Sequence, residues 1–187
     1  MSATNRGCKR KEHDFYATPI DVVENFINNY EGAISGKILE PSAGNGNVIQ
    51  ALRNKCIDGD ITAIEIRSEE LDNLSKLSNN VIIGNFLNDL EHDEKYDIII
   101  GNPPYTFAKE FTEKCLSLLK DDGKLIFLLR TAFLESKSRY QFWQDNPLSG
   151  LYVLSKRPSF TGKGTDATSY SWFVWDKSNN KQIIKII

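Results

Sequence analysis

The sequence predicts an α/β fold, a mostly parallel sheet of seven strands that ends in an antiparallel C-terminal pair. Two observations lead to this prediction. Short apolar runs alternate with longer amphipathic runs along most of the chain, and this alternation is typical of right-handed βαβ crossovers in a parallel sheet. The last two apolar runs are separated by the Gly-containing stretch Thr161–Thr168 and not by a helix, which favours antiparallel pairing at one end of the sheet.

Each element is predicted from its apolar pattern and from the residues that begin or end it. Pro19 suits the first turn of the first helix, with Thr18 as its N-cap, and Asp121–Gly123 predicts the turn that closes the fourth helix. The predicted strands are Lys37–Glu40, Ile61–Ile66, Val81–Ile83, Tyr96–Ile100, Leu125–Leu129, Leu151–Leu154 and Tyr170–Trp175. The predicted helices are Ile20–Tyr30, Val48–Asn54, Glu69–Leu77, Ala108–Leu119 and Arg139–Asp145.

Length and composition restrict the class of protein. A chain of 187 residues is long enough for one domain with a core and too short for two ordinary ones. Apolar residues make up 40% and charged residues 26%, which excludes a disordered chain, and no apolar run approaches the roughly 20 residues of a membrane helix. The three cysteines are widely spaced and only two histidines could join them, so we expect no metal site and a reducing cytoplasm.

The net charge of −2 is unevenly distributed along the chain. Residues 1–11 contain four Lys or Arg and no acid, and residues 150–187 contain six Lys or Arg against two Asp. Two basic ends on an acidic body could form one face for a polyanion. They fit a solvated tail and an ordinary surface equally well, so charge alone leaves the partner open.

The first predicted strand leads into a Gly-containing turn that suits a ligand. Gly44 and Gly46 allow the backbone to turn tightly and to approach a ligand where a Cβ would collide. Ile49 stands where the dinucleotide pattern GxGxxG has its third glycine, which favours a ligand without a pyrophosphate. A tight turn with no ligand is the alternative interpretation of this element.

Two further strand ends carry groups that could contact the same ligand. Glu65 ends the second strand, where a carboxylate can accept both ribose hydroxyls of an adenosine-containing molecule. Asn85 and Phe86 follow the third strand. An acid that faces water is the alternative for Glu65, but three consecutive strand ends with suitable groups favour a binding crevice.

The fourth strand runs directly into the segment Asn102–Tyr105, Asn-Pro-Pro-Tyr. Two adjacent prolines fix the backbone direction, so the Asn102 amide oxygen and a proline carbonyl could act as paired acceptors. Such a pair favours the pyramidal form of a planar amine, which attacks a sulfonium methyl group without a strong base. Tyr105 could stack on the substrate ring. The alternative is a turn that merely starts a helix.

Three motifs follow one another along the chain: Phe15–Pro19 (Phe-Tyr-Ala-Thr-Pro), Glu40–Gly46 (Glu-Pro-Ser-Ala-Gly-Asn-Gly) and Asn102–Tyr105. In this order they resemble the gamma-type N6-adenine DNA methyltransferases, in particular the small phage-type members without a separate target-recognition domain. The similarity spans nearly the whole chain, because Arg157–Phe160 and the strand Tyr170–Trp175 also resemble the family's C-terminal elements.

The resemblance implies a Rossmann-like class I fold that binds S-adenosylmethionine and methylates N6 of adenine in DNA. The implied cofactor-binding residues are Phe15, Tyr16, Thr18, Pro19, Glu40, Pro41, Ser42, Gly44, Gly46, Glu65, Ile66, Asn85, Phe86 and Asn102. The implied catalytic residues are Asn102, Pro103, Pro104 and Tyr105. The implied substrate contacts are Tyr105 and Phe160, and the basic residues Arg157 and Lys163 are added as candidate phosphate contacts because of their charge. Asn85 departs from the family, which usually has Asp there, and a core aromatic is the alternative for Phe160.

The acceptor of the methyl group is open between several classes. Asn-Pro-Pro-Tyr also occurs in enzymes that methylate glutamine side chains of release factors and in several RNA methyltransferases. The loop Glu-Pro-Ser-Ala-Gly disfavours the glutamine interpretation, because those enzymes resemble Asp-Leu-Gly-Thr-Gly, and no added N-terminal domain is expected. RNA stays open. A module that only binds nucleic acid or cofactor has no need for the geometry of Asn102–Tyr105.

We expect residues 1–14 to form a basic, flexible tail and residues 15–187 to form a single methyltransferase domain, monomeric and not bound to a membrane. The expected location is the cytoplasm of a bacterium or of a phage-infected host. The target adenine would be flipped out of a duplex or already single-stranded, with Lys156, Arg157 and Lys163 near its phosphates, although Lys163 fits a solubilising charge equally well. Because only Thr131–Gly150 and Thr161–Thr168 are available to contact bases, we expect a short or degenerate recognition site.

Overall fold

The computed structural model describes residues 17–89, 94–160, 164–178 and 181–187. Helices α1 to α5 span Ile20–Asn29, Asn47–Asn54, Leu71–Leu77, Ala108–Ser117 and Tyr140–Asp145. Strands β1 to β8 span Lys37–Glu40, Asp60–Glu65, Asn80–Ile83, Tyr96–Gly101, Leu119–Arg130, Gly150–Val153, Tyr170–Asp176 and Ile183–Ile186. The predicted N-terminal tail lies outside the described residues, as do Phe15, Tyr16 and Lys163.

One mixed sheet organises the chain, with the strand order β3-β2-β1-β4-β5-β7-β6-β8. Strands β1 to β5 are parallel to one another, whereas β7 runs antiparallel to both β5 and β6. The predicted α/β fold with a C-terminal antiparallel pair is therefore confirmed. The strand order reverses between β1 and β4, and open α/β sheets bind ligands at the carboxyl ends of the strands beside such a reversal.

The sheet has eight strands in the described residues, not the predicted seven. Strand β8 lies at the edge and pairs in parallel with β6, from Gly150 opposite Ile183 to Val153 opposite Ile186. Its residues alternate between half-buried and exposed. The strand was missed because four residues at an edge carry little periodic signal, and because the stabilising contact is made with a strand that is distant in the sequence.

Two predicted helix boundaries also need correction. The N-cap position of α1 is Pro19, with no side-chain capping bond, because the Thr18 hydroxyl accepts a hydrogen bond from the Asn102 side chain instead. Helix α4 ends at Ser117, before the predicted turn at Asp121–Gly123, since Leu119 already pairs with Tyr96 of β4. A shift of register after this first pair accommodates the Asp-Asp-Gly segment within β5.

Helices cover both faces of the sheet and bury two apolar clusters. Consecutive residues of β5 belong to different clusters, with Ile126 in one and Phe127 in the other, because side chains alternate across a strand. The first cluster contains Phe26 of α1, and the second contains Phe111 of α4. This packing fixes the carboxyl ends of β1, β2, β4 and β5 relative to one another.

The described helices are short, and α1 and α4 contain 10 residues each. Within the described ranges, no helix combines the length and the apolar character needed to cross a membrane. No three described His, Cys, Asp or Glu side chains are arranged to hold a metal ion.

Candidate active site

A cavity of about 690 Å³ opens at the carboxyl ends of β1, β2, β4 and β5. It brings together most of the predicted site residues, although they come from distant parts of the chain. These are Thr18, Glu40, Pro41, Ser42, Gly44, Glu65, Ile66, Asn85, Phe86, Asn102, Pro103, Pro104 and Tyr105. The predicted residues Pro19, Gly46, Arg157 and Phe160 do not line it.

The turn between β1 and α2 depends on the backbone freedom of two glycines. Gly44 and Gly46 have φ values of +57° and +79°, in the left-handed region that side chains rarely adopt. A Cβ at Gly46 would lie 2.7 Å from the Leu77 side chain, so this glycine permits helix packing. Gly44 lies in the cavity wall, where its N–H donates to Glu65 Oε2 at 2.7 Å.

Glu65 is 5% exposed and is held by three hydrogen bonds. Its Oε2 accepts from Gly44 N–H, and its Oε1 accepts from both the backbone N–H and the Nε of Arg67 at 3.0 Å. Because a carboxylate offers about four acceptor positions, one position on Oε2 is left for a ligand. The prediction that Glu65 accepts both ribose hydroxyls would require one of the present bonds to give way.

Glu40 ends β1 as an almost fully buried acid, 2% exposed. Its Oε2 has no hydrogen-bond partner among the described residues. Burial, and next the nearby Glu65 carboxylate, raise the pKa of Glu40 well above its usual range. A buried acid with an unpaired oxygen is costly without a ligand, so this part of the cavity suits a cationic group such as the amine of S-adenosylmethionine.

The Asn102 amide is fixed through its nitrogen. Its Nδ2 donates to Thr18 Oγ1 at 3.0 Å, and Ser42 Oγ donates to its backbone oxygen at 3.4 Å. The Oδ1 atom is buried and has no partner within the described part of the chain. Asn102 therefore presents an unpaired acceptor beside Pro103, and the Thr18 hydroxyl accepts from its amide nitrogen.

Tyr105 of the Asn-Pro-Pro-Tyr segment packs against Tyr170. The rings of Tyr105 and Tyr170 lie 5.6 Å apart, and Phe160 packs edge-on against Tyr170 at 5.1 Å. Burial, and next Tyr170, raise the pKa of Tyr105 well above its usual range, so its hydroxyl stays protonated at neutral pH. Phe160 therefore contacts Tyr170 and does not line the cavity. Arg157 is exposed and does not line the cavity either.

Asn85 uses its amide oxygen within its own turn. Asn85 Oδ1 accepts from the Leu87 N–H at 3.0 Å, and the Asn85 N–H donates to Asp89 at 2.9 Å. If the cofactor's adenine amine donates to Asn85 Oδ1 as predicted, that oxygen must accept two hydrogen bonds, one from the amine and one from the Leu87 N–H. Nearby, the side chains of Ile66 and Phe107 line the cavity and are 43% and 49% exposed, which offers apolar surface to a planar ring.

The sequence interpretation missed several residues of the cavity. Phe107 and Asn47 line it, and Asn47 Nδ2 donates to the Thr18 backbone oxygen at 2.8 Å. Arg130, the last residue of β5, also lines it. The rule that groups at the carboxyl ends of strands face the ligand predicted Glu65 and Asn102, and would have predicted Arg130 as well.

Comparison with protein families matches residues 17–142 to the methyltransferase small domain. The chain belongs to this family. The matched range includes β1 to β5 and the residues that line the cavity. S-adenosylmethionine is the cofactor expected of this family and fold, and the acids and acceptors described above fit such a molecule.

Curated relatives fall into two substrate classes. The type II methyltransferase M.CvrRI of Paramecium bursaria Chlorella virus XZ-6E is 29% identical over 150 residues, which cover 69% of this chain and 39% of that protein. The release factor glutamine methyltransferase of Fusobacterium nucleatum subsp. nucleatum is 31% identical over 169 residues, which cover 71% of this chain and 47% of that protein. The chain therefore spans less than half the length of either relative.

Solved structures show the same fold. A putative class I S-adenosylmethionine-dependent methyltransferase from Listeria monocytogenes superposes with a TM-score of 0.70 at 15% identity, covering 94% of this chain and 66% of that chain. The predicted Rossmann-like class I fold is confirmed by this likeness. At this level of identity the comparison concerns the fold alone.

Proposed function

We propose that this chain transfers a methyl group from S-adenosylmethionine to N6 of adenine in DNA. The observation that carries the proposal is the Asn102 side chain, whose oxygen is buried and unpaired among the described residues while its nitrogen is fixed by Thr18. An acceptor held in this way has no structural bond to lose when it binds an amine. It is therefore suited to a substrate N–H.

The residues of the chain act on the amine by positioning it. The cofactor supplies an electrophilic methyl group on a sulfonium centre. Asn102 Oδ1 and the Pro103 carbonyl accept the two amine hydrogens, which draws the lone pair out of the ring and directs it at the methyl group. As the new N–C bond formed, the bond between the methyl group and sulfur would break, the sulfur would leave as the neutral thioether of the spent cofactor, and one amine proton would pass to solvent. Tyr105 provides the flat surface against which the ring lies.

The other half of the cavity is suited to the cofactor. Glu40 and Glu65 are the acids that line it in the described chain, and both lie at strand ends next to the Gly44 turn. Acids favour a ligand that carries a sulfonium and an ammonium group. The apolar surfaces of Ile66 and Phe107 fit its adenine ring.

The viral relatives support DNA as the acceptor, because their names describe a type II methyltransferase and a modification methylase. The adenine would be flipped out of the duplex or presented in a single strand. We propose a short or degenerate recognition context, since few described residues outside the sheet and its helices are available to contact bases. A monomer in the cytoplasm is the simplest assembly and location for this activity.

Glutamine is the second candidate acceptor, and the Fusobacterium relative is the observation that favours it. A glutamine side-chain amide is also a planar nitrogen, so the same pair of acceptors would activate it. Nothing in the Asn102 geometry alone separates the two acceptors.

Transfer of a labelled methyl group to DNA, to RNA and to a glutamine-containing release-factor peptide, measured side by side, separates these candidates. We expect label in DNA that is released as N6-methyladenine on digestion, and no label when Asn102→Ala replaces the wild-type protein. Sequencing of the methylated DNA then defines the context. Label confined to the peptide would overturn the DNA proposal. Label confined to RNA would show that the acceptor is RNA and not DNA.

A further inference from the structure

The cavity has an uneven distribution of charge along the sheet. Its acids, Glu40 and Glu65, lie at the ends of β1 and β2, whereas its basic side chains are Arg67 and Arg130 in the described chain. Arg67 lies beside Glu65 and also forms ion pairs with Glu69 and Glu70. Arg130 ends β5, on the far side of β4 from the acids. It is therefore the cation at the Asn102 end of the cavity.

Arg130 is held at this end by aromatic neighbours. Its guanidinium carbon lies 5.1 Å from the centre of the Tyr105 ring, and the Tyr170 hydroxyl lies close enough to interact with its charge. The Tyr170 hydroxyl in turn donates to Asp166 Oδ2 at 3.2 Å, and Asp166 Oδ1 accepts from the Thr168 N–H at 3.1 Å. The guanidinium is oriented in the absence of substrate.

This arrangement leaves most of the Arg130 donors available. A guanidinium has five N–H donors in a planar fork, and the neighbouring Tyr170 hydroxyl can accept from at most one side of it. Asp166 acts on Arg130 electrostatically, but its carboxylate oxygens are already bonded to Tyr170 and Thr168. Arg130 as a whole is exposed, so an anion can reach it from solvent next to Tyr105.

We propose that Arg130 binds a phosphate of the nucleic acid beside the target base and so gives the site its preference for a nucleotide. The inference rests on the proposed function and names the part of the site that recognises the substrate class. An adenine bound at Asn102 and Tyr105 belongs to a nucleotide, so it brings phosphate groups near the ring and near Arg130. A glutamine side chain carries no anion there. Arginine suits this role because its fork matches phosphate oxygens bidentately.

The test measures binding of a labelled oligonucleotide by fluorescence anisotropy over a series of salt concentrations. Loss of one phosphate contact lowers the slope of log affinity against log salt by about 0.9 for duplex DNA and about 0.7 for single strands. We expect Arg130→Gln to show this loss, with a roughly tenfold weaker affinity and a correspondingly higher KM. Arg130→Lys should keep the slope and recover part of the affinity, because it keeps the charge but not the fork.

The matched control is Lys120→Gln, which removes a cation near the other end of the same strand. Lys120 pairs with Asp97 at 2.8 Å and does not line the cavity, so its loss should leave the salt slope at the wild-type value. If Arg130→Gln and Arg130→Lys both lower kcat while the slope stays unchanged, Arg130 only supports Tyr105 and the inference is wrong. If wild-type protein methylates the glutamine peptide and no nucleic acid, the proposed function fails together with it. Normal DNA or RNA methylation with an unchanged slope in Arg130→Gln overturns this inference alone.

Discussion

Replacement of Thr18 by valine removes the acceptor that orients the Asn102 amide while it keeps the shape of the side chain. Thr18 is 5% exposed, and its Oγ1 accepts from Asn102 Nδ2 at 3.0 Å. Both groups are neutral, so the bond contributes about 0.5–1.5 kcal/mol net. If that energy holds the amide in its reactive orientation, its loss raises the barrier by the same amount, and turnover falls about 2- to 12-fold.

The assay is single-turnover transfer of a labelled methyl group with cofactor and DNA both saturating, because this reports the chemical step. Cofactor affinity, measured by calorimetry, should change little, since Thr18 bonds to Asn102 and not to the acids of the cofactor end. Thr18→Ser restores the hydroxyl and should recover most of the turnover.

Two results would refute this reasoning. Wild-type turnover in a folded Thr18→Val protein would show that the amide keeps its orientation without this bond. A loss in Thr18→Ser as large as the loss in Thr18→Val, although serine keeps the hydroxyl, would show that turnover does not depend on this hydroxyl's bond. The bond to Asn102 would then be incidental to catalysis.

The remaining predictions concern one side chain each. Asn102→Ala should bind cofactor normally and lose turnover by about 10²–10³-fold, as expected for a group that acts on the transition state, measured by calorimetry and single-turnover transfer. Glu65→Ala should weaken cofactor affinity by about 1.5–3 kcal/mol, the range for a charged hydrogen-bonding group, measured by calorimetry. Because burial raises the pKa of Glu40 in the folded protein, its neutral form contributes stability that is complete below the unfolded-state pKa of about 4.3 and is lost as pH rises through the folded-state value. Denaturant unfolding without cofactor should therefore show Glu40→Gln gaining stability over the wild type as pH rises through that window.

Controls are available close to each site. Glu69→Gln removes a carboxylate whose side chain is 67% exposed and does not line the cavity, so it should bind cofactor like the wild type. Glu65→Gln keeps an acceptor for the Gly44 N–H and should lose less affinity than Glu65→Ala. Unchanged affinity in Glu65→Ala would remove Glu65 from the cofactor site, and substantial turnover in Asn102→Ala would rule out the proposed mechanism. Parallel stability profiles for Glu40→Gln and the wild type would show that Glu40 is ionised in the fold.

The sequence predicted most of the framework because its signals are local. Apolar periodicity predicted β1 to β7 and α1 to α5, and the rule on strand ends placed Glu65, Asn85 and Asn102 in one crevice. These inferences need only the alternation along one segment and the knowledge that parallel strands end at the same edge.

What the sequence could not predict depends on contacts between distant segments. In the local sequence, Thr18 suits the N-cap of a helix. Only the fold shows that its hydroxyl accepts a hydrogen bond from Asn102 and caps no helix. Strand β8 forms because it pairs with the free edge of β6, a strand distant in the sequence. Nothing in the local sequence indicates that Tyr170 packs against both Phe160 and Tyr105.

The central position of β1 has a consequence for how the protein acquires its activity. Leu39 of β1 pairs with Ile99 of β4, while β2 and β3 are formed by the chain between them. The bond from Asn102 to Thr18 joins residues 84 positions apart. Such long-range closures cost chain entropy, which is offset only when the sheet that joins the distant segments is formed. A partly folded or nascent chain therefore has no cavity to fill, and binding of the cofactor selects molecules whose whole central sheet is already assembled.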